Sequence, residues 1–470
     1  MKTKLLLSFI LALQPLSAAE QVVTLGDSLT FAYETEFCHE VNIPFGPDYG
    51  DGFSSRVRNW AEILNKPGYR RSSFDLGPRQ YVNIDLPSSN DYDFFLRNRN
   101  NWAIPGLRVH QLWKFMNRDA TISSMIDPDL ADLLDYTDFK ESTDFAISDL
   151  ENQIRNTAER VVIFIGGNDV RGVYPAIYNH DNPGDFVEKF VLNTTRIVDR
   201  VLELNPKIQV VLVNVPHVGI TPEVKSKWPT DPVKTARVSR VLRQLNHQLE
   251  NLAKSRDIGY ADVYWPTISM LKKAPFCIQG IPFDNDGSKT ANINHVWLNG
   301  PLSNNFHPNT SLQAVIANQI IDAFNMRYDT GIAPLSATEI LGGLLGKKPE
   351  EIDMSFSKWM SGYGKGGLPA SDDSDGDGIT ASVEFATGLN PRLQDADQIG
   401  DIIRGDTRDF AYSIRLPASK HYTLRALYAS TPDAQPTVVK PNPATEADGY
   451  AHVRLPVSDP GTVSLRATIR

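Results

Sequence analysis

Four residues of this chain have types and placements that allow chemistry together. Ser28 stands in Val22-Val23-Thr24-Leu25-Gly26-Asp27-Ser28-Leu29-Thr30. An apolar run rich in β-branched residues that breaks at a glycine reads as a buried parallel strand. Such a strand delivers its serine at the carboxyl edge of a sheet, where open α/β folds place their chemistry. Alone, the tripeptide is also an ordinary turn, because Gly, Asp and Ser each favour one. A serine becomes a nucleophile only where a base and an anion-stabilising pocket converge on it. Asn168 follows Gly166-Gly167 at the end of a second apolar run, Arg160 to Ile165. Gly106 closes Asn101-Trp102-Ala103-Ile104-Pro105-Gly106, where a backbone N–H can approach a ligand closely. His307 sits in Asn304-Asn305-Phe306-His307-Pro308-Asn309, directly before a helical stretch. Serine, glycine and asparagine at separate strand ends can supply three donors to one oxyanion, with the histidine as general base and then general acid.

Gly26-Asp27-Ser28-Leu29, Gly106, Gly166-Gly167-Asn168-Asp169 and His307-Pro308-Asn309 occur in the order of the four sequence blocks of the GDSL, or SGNH, hydrolases. The stretch from Gln21 to Tyr328 resembles that family, and Val215 to Pro222 is similar to the fourth-strand exit of its lipase-like members. The resemblance implies a flavodoxin-like three-layer α/β/α sandwich and hydrolysis of carboxylic esters through a serine acyl-enzyme. It implies Ser28 as nucleophile and His307 as base. It implies the Ser28 N–H, the Gly106 N–H and the Asn168 side chain as oxyanion donors, and no metal for that chemistry. The family usually carries an aspartate three residues before the histidine, where this chain has Asn304. An amide carbonyl can orient the imidazole but cannot stabilise the imidazolium by charge. In a different serine hydrolase architecture the Asp-to-Asn change costs about 10⁴ in rate. Three alternatives stay open: a Ser-His pair oriented by Asn304 or a backbone carbonyl, a substitute acid such as Asp284 or Asp286, or a catalytically dead site. His110, His217 and His295 read as structural or surface residues.

A second constellation is Asp373-Ser374-Asp375-Gly376-Asp377-Gly378-Ile379-Thr380, followed by Glu384. Carboxylates fall at loop positions 1, 3 and 5, glycine at 6 and glutamate at 12, with the Ile379 carbonyl at 7. This is the oxygen-ligand progression that Ca²⁺ takes in a 12-residue loop. The run resembles the Asp-rich calcium modules of exported bacterial proteins. The expected ion is structural, stiffening a linker far along the chain from Ser28. The other reading is a solvated acidic linker.

The elements that must position these residues follow from periodicity. Strands are expected at 22–26, 160–165, 208–215 and 260–264, with a strand-to-turn exit at 101–106. Helices are expected at 57–66, 149–157, 186–202, 233–255 and 311–324, and a short one at 337–345. Alternation of strand and helix implies a parallel sheet covered on both faces. Residues 67–100 lack clear periodicity and read as an insertion shaping a substrate pocket. Residues 127–138 are acidic, turn-prone surface. From Phe410 the pattern has period two, an antiparallel β module.

The chain has 470 residues and a formal net charge of -9, which argues against a sequence-independent grip on nucleic acid or anionic lipid. Lys2 and Lys4, an apolar stretch from Leu5 to Leu16 and Ser17-Ala18-Ala19 read as a signal peptide cleaved after Ala19. No later stretch is apolar and long enough to span a bilayer. The expectation is therefore a secreted, periplasmic or surface-held bacterial protein. Its organisation reads as a signal peptide at 1–19, a hydrolase domain at 20–330 and a linker at 331–355. A calcium-loop module at 356–392 and a β-rich module at 393–470 follow. Cys38 and Cys277 form one disulfide or remain two buried thiols. The function expected is a secreted serine esterase or lipase-like hydrolase acting on acetyl esters of glycans or on short-chain acyl lipids. The alternative is a relict of that fold serving as a glycan- or surface-binding protein.

Overall fold

The computed structural model describes residues 20–33, 56–65, 74–84, 92–119, 143–271, 276–278, 281–285, 293–298, 306–336, 338–348, 355–387, 389, 391–392, 394, 401–404, 408–415, 422–429, 437–438, 445–447, 450–456 and 462–469. The expected signal peptide, the acidic stretch at 127–138, Cys38, Asp286 and Asn304 lie outside the described residues, as does the side chain of Cys277.

Strand β1 (Val22–Gly26) is buried at every residue, as an unbroken β-branched run requires of a strand covered on both faces. Helix α1 (Trp60–Asn65) is shorter than its apolar pattern suggests. The aperiodic stretch up to residue 100 contains an antiparallel hairpin, β2 (Arg79–Ile84) with β3 (Tyr92–Asn98), whose register shifts between Gln80 and Tyr81. Such a bulge breaks the period-two signal that would have marked the hairpin in sequence. Residues 100–104 then run alongside β1. Thr24 N donates to Asn100 O at 3.0 Å, Trp102 N to Thr24 O at 2.9 Å, and Ile104 N to Gly26 O at 3.1 Å. The expected strand exit at 101–106 is thus a short parallel ladder rather than a full strand.

Helices α2 (Val109–Met116) and α3 (Thr143–Asn156) lead to β4 (Arg160–Phe164), which is buried throughout. Helix α4 (Gly167–His180) carries Pro175 inside it, a residue that argues against helix in any sequence reading. Helix α5 (Phe186–Leu204) buries Phe190, Ile197, Val198 and Val201, the three-and-four spacing of one helical face. Strand β5 (Gln209–Val213) is followed by a 3₁₀ turn (Val218–Ile220), α6 (Pro222–Lys227) and α7 (Pro232–Arg256). Pro232 at the first turn of α7 and the Asp231 carboxylate accepting from Lys234 N at 2.9 Å account for that start. Strand β6 (Gly259–Ala261) is shorter than expected. Asp262 Oδ1 accepts from Tyr264 N at 3.1 Å and Trp265 N at 3.2 Å, and so opens α8 (Tyr264–Leu271) where the strand was expected to continue. A small hairpin, β7 (Phe276–Ile278) with β8 (Ile281–Phe283), precedes α9 (Thr310–Tyr328), which is buried nearly all round.

The central sheet has the order β1-β4-β5-β6, all parallel, with Val22 opposite Arg160, Val161 opposite Val210 and Val211 opposite Gly259. One face is covered by α9, which packs on β5, β6 and α1; on α5 pack α2, α3 and α7. This is the expected three-layer arrangement, and it brings the ends of β1, the 100–104 ladder, β4 and β5 to one edge.

After α9 comes a π-helical turn (Glu339–Leu344) in place of the expected short helix. Helices α10 (Phe356–Gly362) and α11 (Ala381–Thr387) share a small apolar cluster of Trp359, Met360, Ala381, Phe385 and Ala386. The last strands are β9 (Asp401–Arg404), β10 (Arg408–Arg415), β11 (Tyr422–Ala429), β12 (Thr437–Val438), β13 (Thr445–Ala447), β14 (Tyr450–Pro456) and β15 (Thr462–Ile469). They pair antiparallel in the orders β13-β14-β10-β9 and β12-β11-β15, as their alternating sequence requires.

Candidate active site

Strand β1 ends against β4 so closely that a Cβ on Gly26 would lie 2.6 Å from Phe164 O and 2.8 Å from Thr30 Oγ1. Only glycine fits there. The chain then folds back on Asp27, whose carbonyl accepts from Thr30 N and Phe31 N, each at 3.0 Å. The Asp27 carboxylate accepts from Leu29 N at 3.0 Å. These bonds hold Ser28, 4% exposed, at the tip of the turn. Asn101 pins the turn from outside by donating to Thr30 O at 2.9 Å.

His307 Nε2 lies 2.7 Å from Ser28 Oγ, across 279 residues of sequence. The imidazole is set by its backbone: His307 O accepts from Leu298 N at 2.8 Å, and Asn309 N donates to Val296 O at 2.7 Å. Helix α9 begins directly after, capped by Asn309, whose side chain accepts from Thr310 N at 2.7 Å. One turn into α9, the buried Gln313 joins the His307 and Ser28 segments. Its amide donates to Tyr33 Oη at 2.7 Å and Leu29 O at 3.5 Å, and its carbonyl accepts from Trp60 N at 3.2 Å. Phe306 and Tyr33 stand edge-on to the imidazole, centroids 5.6 and 6.4 Å away. Burial, and then the nearby Arg171 cation, push His307 down to about 4, against a smaller opposing pull from Glu223. The ring is therefore neutral at neutral pH, the state a general base requires. The Asn304 position lies outside the described residues, and so does Asp286. Asp284 is exposed, and it is its main-chain carbonyl that accepts from Val296 N at 2.8 Å.

On the opposite side, Gly106 sits in an exposed turn with φ of 77°. Asn168, at the start of α4, donates from Nδ2 to Leu107 O at 3.3 Å. Its neighbour Asp169 receives Val109 N, the first amide of α2, at 3.1 and 3.3 Å on its two oxygens. The Gly106–Val109 segment is thus tied to the Asn168–Asp169 corner at two points. That corner depends on Gly166, whose φ of 133° and a would-be Cβ only 2.7 Å from Phe190 Cζ exclude other residues. Burial raises the Asp27 carboxyl to about 6, against hydrogen bonds from backbone amides of Leu29, Gly166 and Gly167. Burial likewise raises Asp169 to about 7, with the charge of Asp27 adding to the effect. The sequence alone gives these two carboxyls and Gln313 no role. Nothing in their spacing marks them; only adjacency to Ser28 and Asn168 does.

His217 is fully buried at the exit of β5. Its Nδ1 accepts from Gly219 N at 3.2 Å and its Nε2 meets Ser239 Oγ at 3.1 Å, a structural role as expected. Far along the chain, the carboxylates of Asp373, Asp375 and Asp377 bring ligand oxygens within 4.8 Å of one another. The loop bends through left-handed Gly376 and Gly378, and Glu384 on α11 is 1% exposed. The oxygen-only donor set fits a hard cation such as Ca²⁺.

Among solved structures, a gut microbial diltiazem-metabolizing enzyme aligns over 66% of this chain and 48% of its own at 14% identity and a TM-score of 0.32. Thus the chain spans about half the length of that protein. A carbohydrate esterase of family 3 from Talaromyces cellulolyticus aligns over 66% of this chain and 100% of its own, at 13% identity and a TM-score of 0.31. An extracellular lipase from Streptomyces rimosus aligns over 66% and 99%, at 14% identity and a TM-score of 0.31. A search of curated proteins gives no match. The GDSL-like Lipase/Acylhydrolase family model matches residues 95–315, a span that contains Gly106, Asn168 and His307 and begins after Ser28. Over residues 95–315 the chain is thus similar to GDSL-like lipases and acylhydrolases.

Proposed function

We propose that the protein is an exported serine hydrolase of carboxylic esters, and the observation that carries this reading is the 2.7 Å contact between His307 Nε2 and Ser28 Oγ. In this reading neutral His307 takes the hydroxyl proton as Ser28 Oγ attacks the ester carbonyl. The oxyanion forms against the Ser28 N–H, the Gly106 N–H and the Asn168 amide. The imidazolium returns its proton to the departing alcohol, leaving a Ser28 acyl-enzyme. Water, deprotonated by the same histidine, then releases the acid. Export rests on the lysine-led apolar N-terminus; among the described residues no helix is long and apolar enough to cross a membrane. Acetylated glycans and acyl lipids are the two substrate classes in view.

The test is hydrolysis of p-nitrophenyl esters by the full chain beside Ser28→Ala, His307→Ala and Asn304→Asp. Loss of at least about 10³ in kcat in the first two, with activity kept or raised in the third, is expected. Activity indifferent to Ser28 would overturn the assignment.

We also propose that Asp373, Asp375, Asp377, the Ile379 carbonyl and Glu384 hold a structural Ca²⁺. Calorimetric titration of the full chain should show uptake that Asp375→Ala weakens. Uptake that is absent, or the same in the variant, would remove the site.

A further inference from the structure

We propose that the apolar cavity behind the Ser28–His307 pair is an acyl-chain site that selects an unbranched acyl group of about four carbons over acetyl. This rests on the ester-hydrolase reading and deepens it. The cavity is lined by Leu29, Gly167, Phe306 and Pro308, which are the chain neighbours of Ser28, Asn168 and His307. Ser28, Asn168 and His307 are thus adjacent in the chain to its walls, though the lining itself is formed by their neighbours. Its depth is closed by buried side chains such as Val263 from the β6 exit and Val315 from α9.

Three polar side chains in its wall, His217, Thr267 and Thr221, are engaged by the protein, while the buried Trp297 Nε1 has no hydrogen-bond partner among the described residues. His217 Nδ1 accepts from Gly219 N at 3.2 Å, and its Nε2 meets Ser239 Oγ at 3.1 Å. The Thr267 hydroxyl donates to Tyr264 O at 2.7 Å and accepts from His217 N at 3.0 Å. The Thr221 hydroxyl donates to Val218 O at 2.9 Å and accepts from Val224 N at 3.2 Å. A sugar hydroxyl placed here would lose its water and find, among these groups, the Trp297 N–H alone open to it, a penalty that an alkyl chain escapes. The cavity volume is about 30 Å³. On that measure one water needs about 10–15 Å³, so the cavity takes two or three carbon-sized groups. That is the propyl tail of a butyryl group, and it is too little for an octanoyl chain.

The experiment is kcat/KM of the full chain on p-nitrophenyl acetate, butyrate and octanoate. Two extra methylenes removed from water should favour butyrate over acetate by about tenfold, with octanoate below butyrate. Acetate equal or superior to butyrate, or octanoate the best substrate, overturns the proposal. Filling the cavity with Val315→Phe should bring the butyrate-to-acetate ratio close to one, and an unchanged ratio in folded variant also overturns it. Should that variant fail to fold, the wild-type series still decides. If Ser28→Ala hydrolyses the esters as well as the wild type does, the hydrolase reading itself falls and takes the acyl site with it. Ser28-dependent hydrolysis with the wrong chain-length order removes the acyl site alone.

Discussion

At the residue scale, the site pairs a histidine that stays neutral with two carboxyls that resist ionising. His307 is held down to about 4 by burial and Arg171. The expected acid limb of kcat/KM therefore rises through a pH of about 4, below the ordinary histidine value of about 6.5. A limb near 6.5 would contradict this placement of the base. Asp27 and Asp169 are raised to about 6 and about 7. In the proposed mechanism their ionisation adds negative charge to the Ser28 turn and the Asn168 corner that would hold the oxyanion. A unit charge about 10 Å away at an effective dielectric of ~20 is worth about 1.7 kcal/mol, roughly tenfold in rate. A descending limb near pH 7 is expected, and Asp169→Asn, which can still accept from Val109 N, should flatten it. For stability the sign follows from the same shifts: folded Asp169 holds a proton that its unfolded form has released between pH of about 4 and 7. Its contribution is thus lost as pH rises through that window, and Asp169→Asn should lack this loss in melting curves. Ser28 and Asn168 stood out in sequence because their short motifs break apolar runs, and His307 because its motif directly precedes a helical stretch. The proton-holding carboxyls were not, because their behaviour comes from burial that exists only after folding.

At the element scale, α9 follows His307, the proposed base, and is bolted to the Ser28 turn through Gln313. Gln313→Leu should leave Trp60 N and Leu29 O without that partner and cost about 1–3 kcal/mol in stability. It should also lower kcat more than it raises KM, since it moves the base relative to Ser28; a change in stability alone, with kcat intact, would contradict the role. Strands β1, β4 and β5 were readable because their two-sided burial writes continuous β-branched runs. The β2–β3 hairpin was hidden by its register shift, and α4 by Pro175. The end of α9 lies four residues beyond its expected position, where Asp329, rather than glycine, adopts the left-handed conformation at φ of 52°.

At the scale of the whole molecule, one sheet edge collects Ser28, the Gly106 segment, Asn168 and His217, and α9 brings His307 to it from 279 residues beyond Ser28. The three-layer organisation was legible from the alternation of strands and helices, and the terminal β module from its period-two pattern. The acyl cavity was not, because its walls come from Leu29, Gly167, the β5 and β6 exits and α9, segments with no common sequence signature. The most direct measurement of the central claim is covalent: incubate the full chain with a fluorophosphonate, then map the modified peptide by mass spectrometry. A single adduct on Ser28, lost in Ser28→Ala and slowed at least about 10²-fold in His307→Ala, is the expected result. An intact chain that takes no label, or takes it at another residue, would contradict the assignment of Ser28 and His307 as an activated pair.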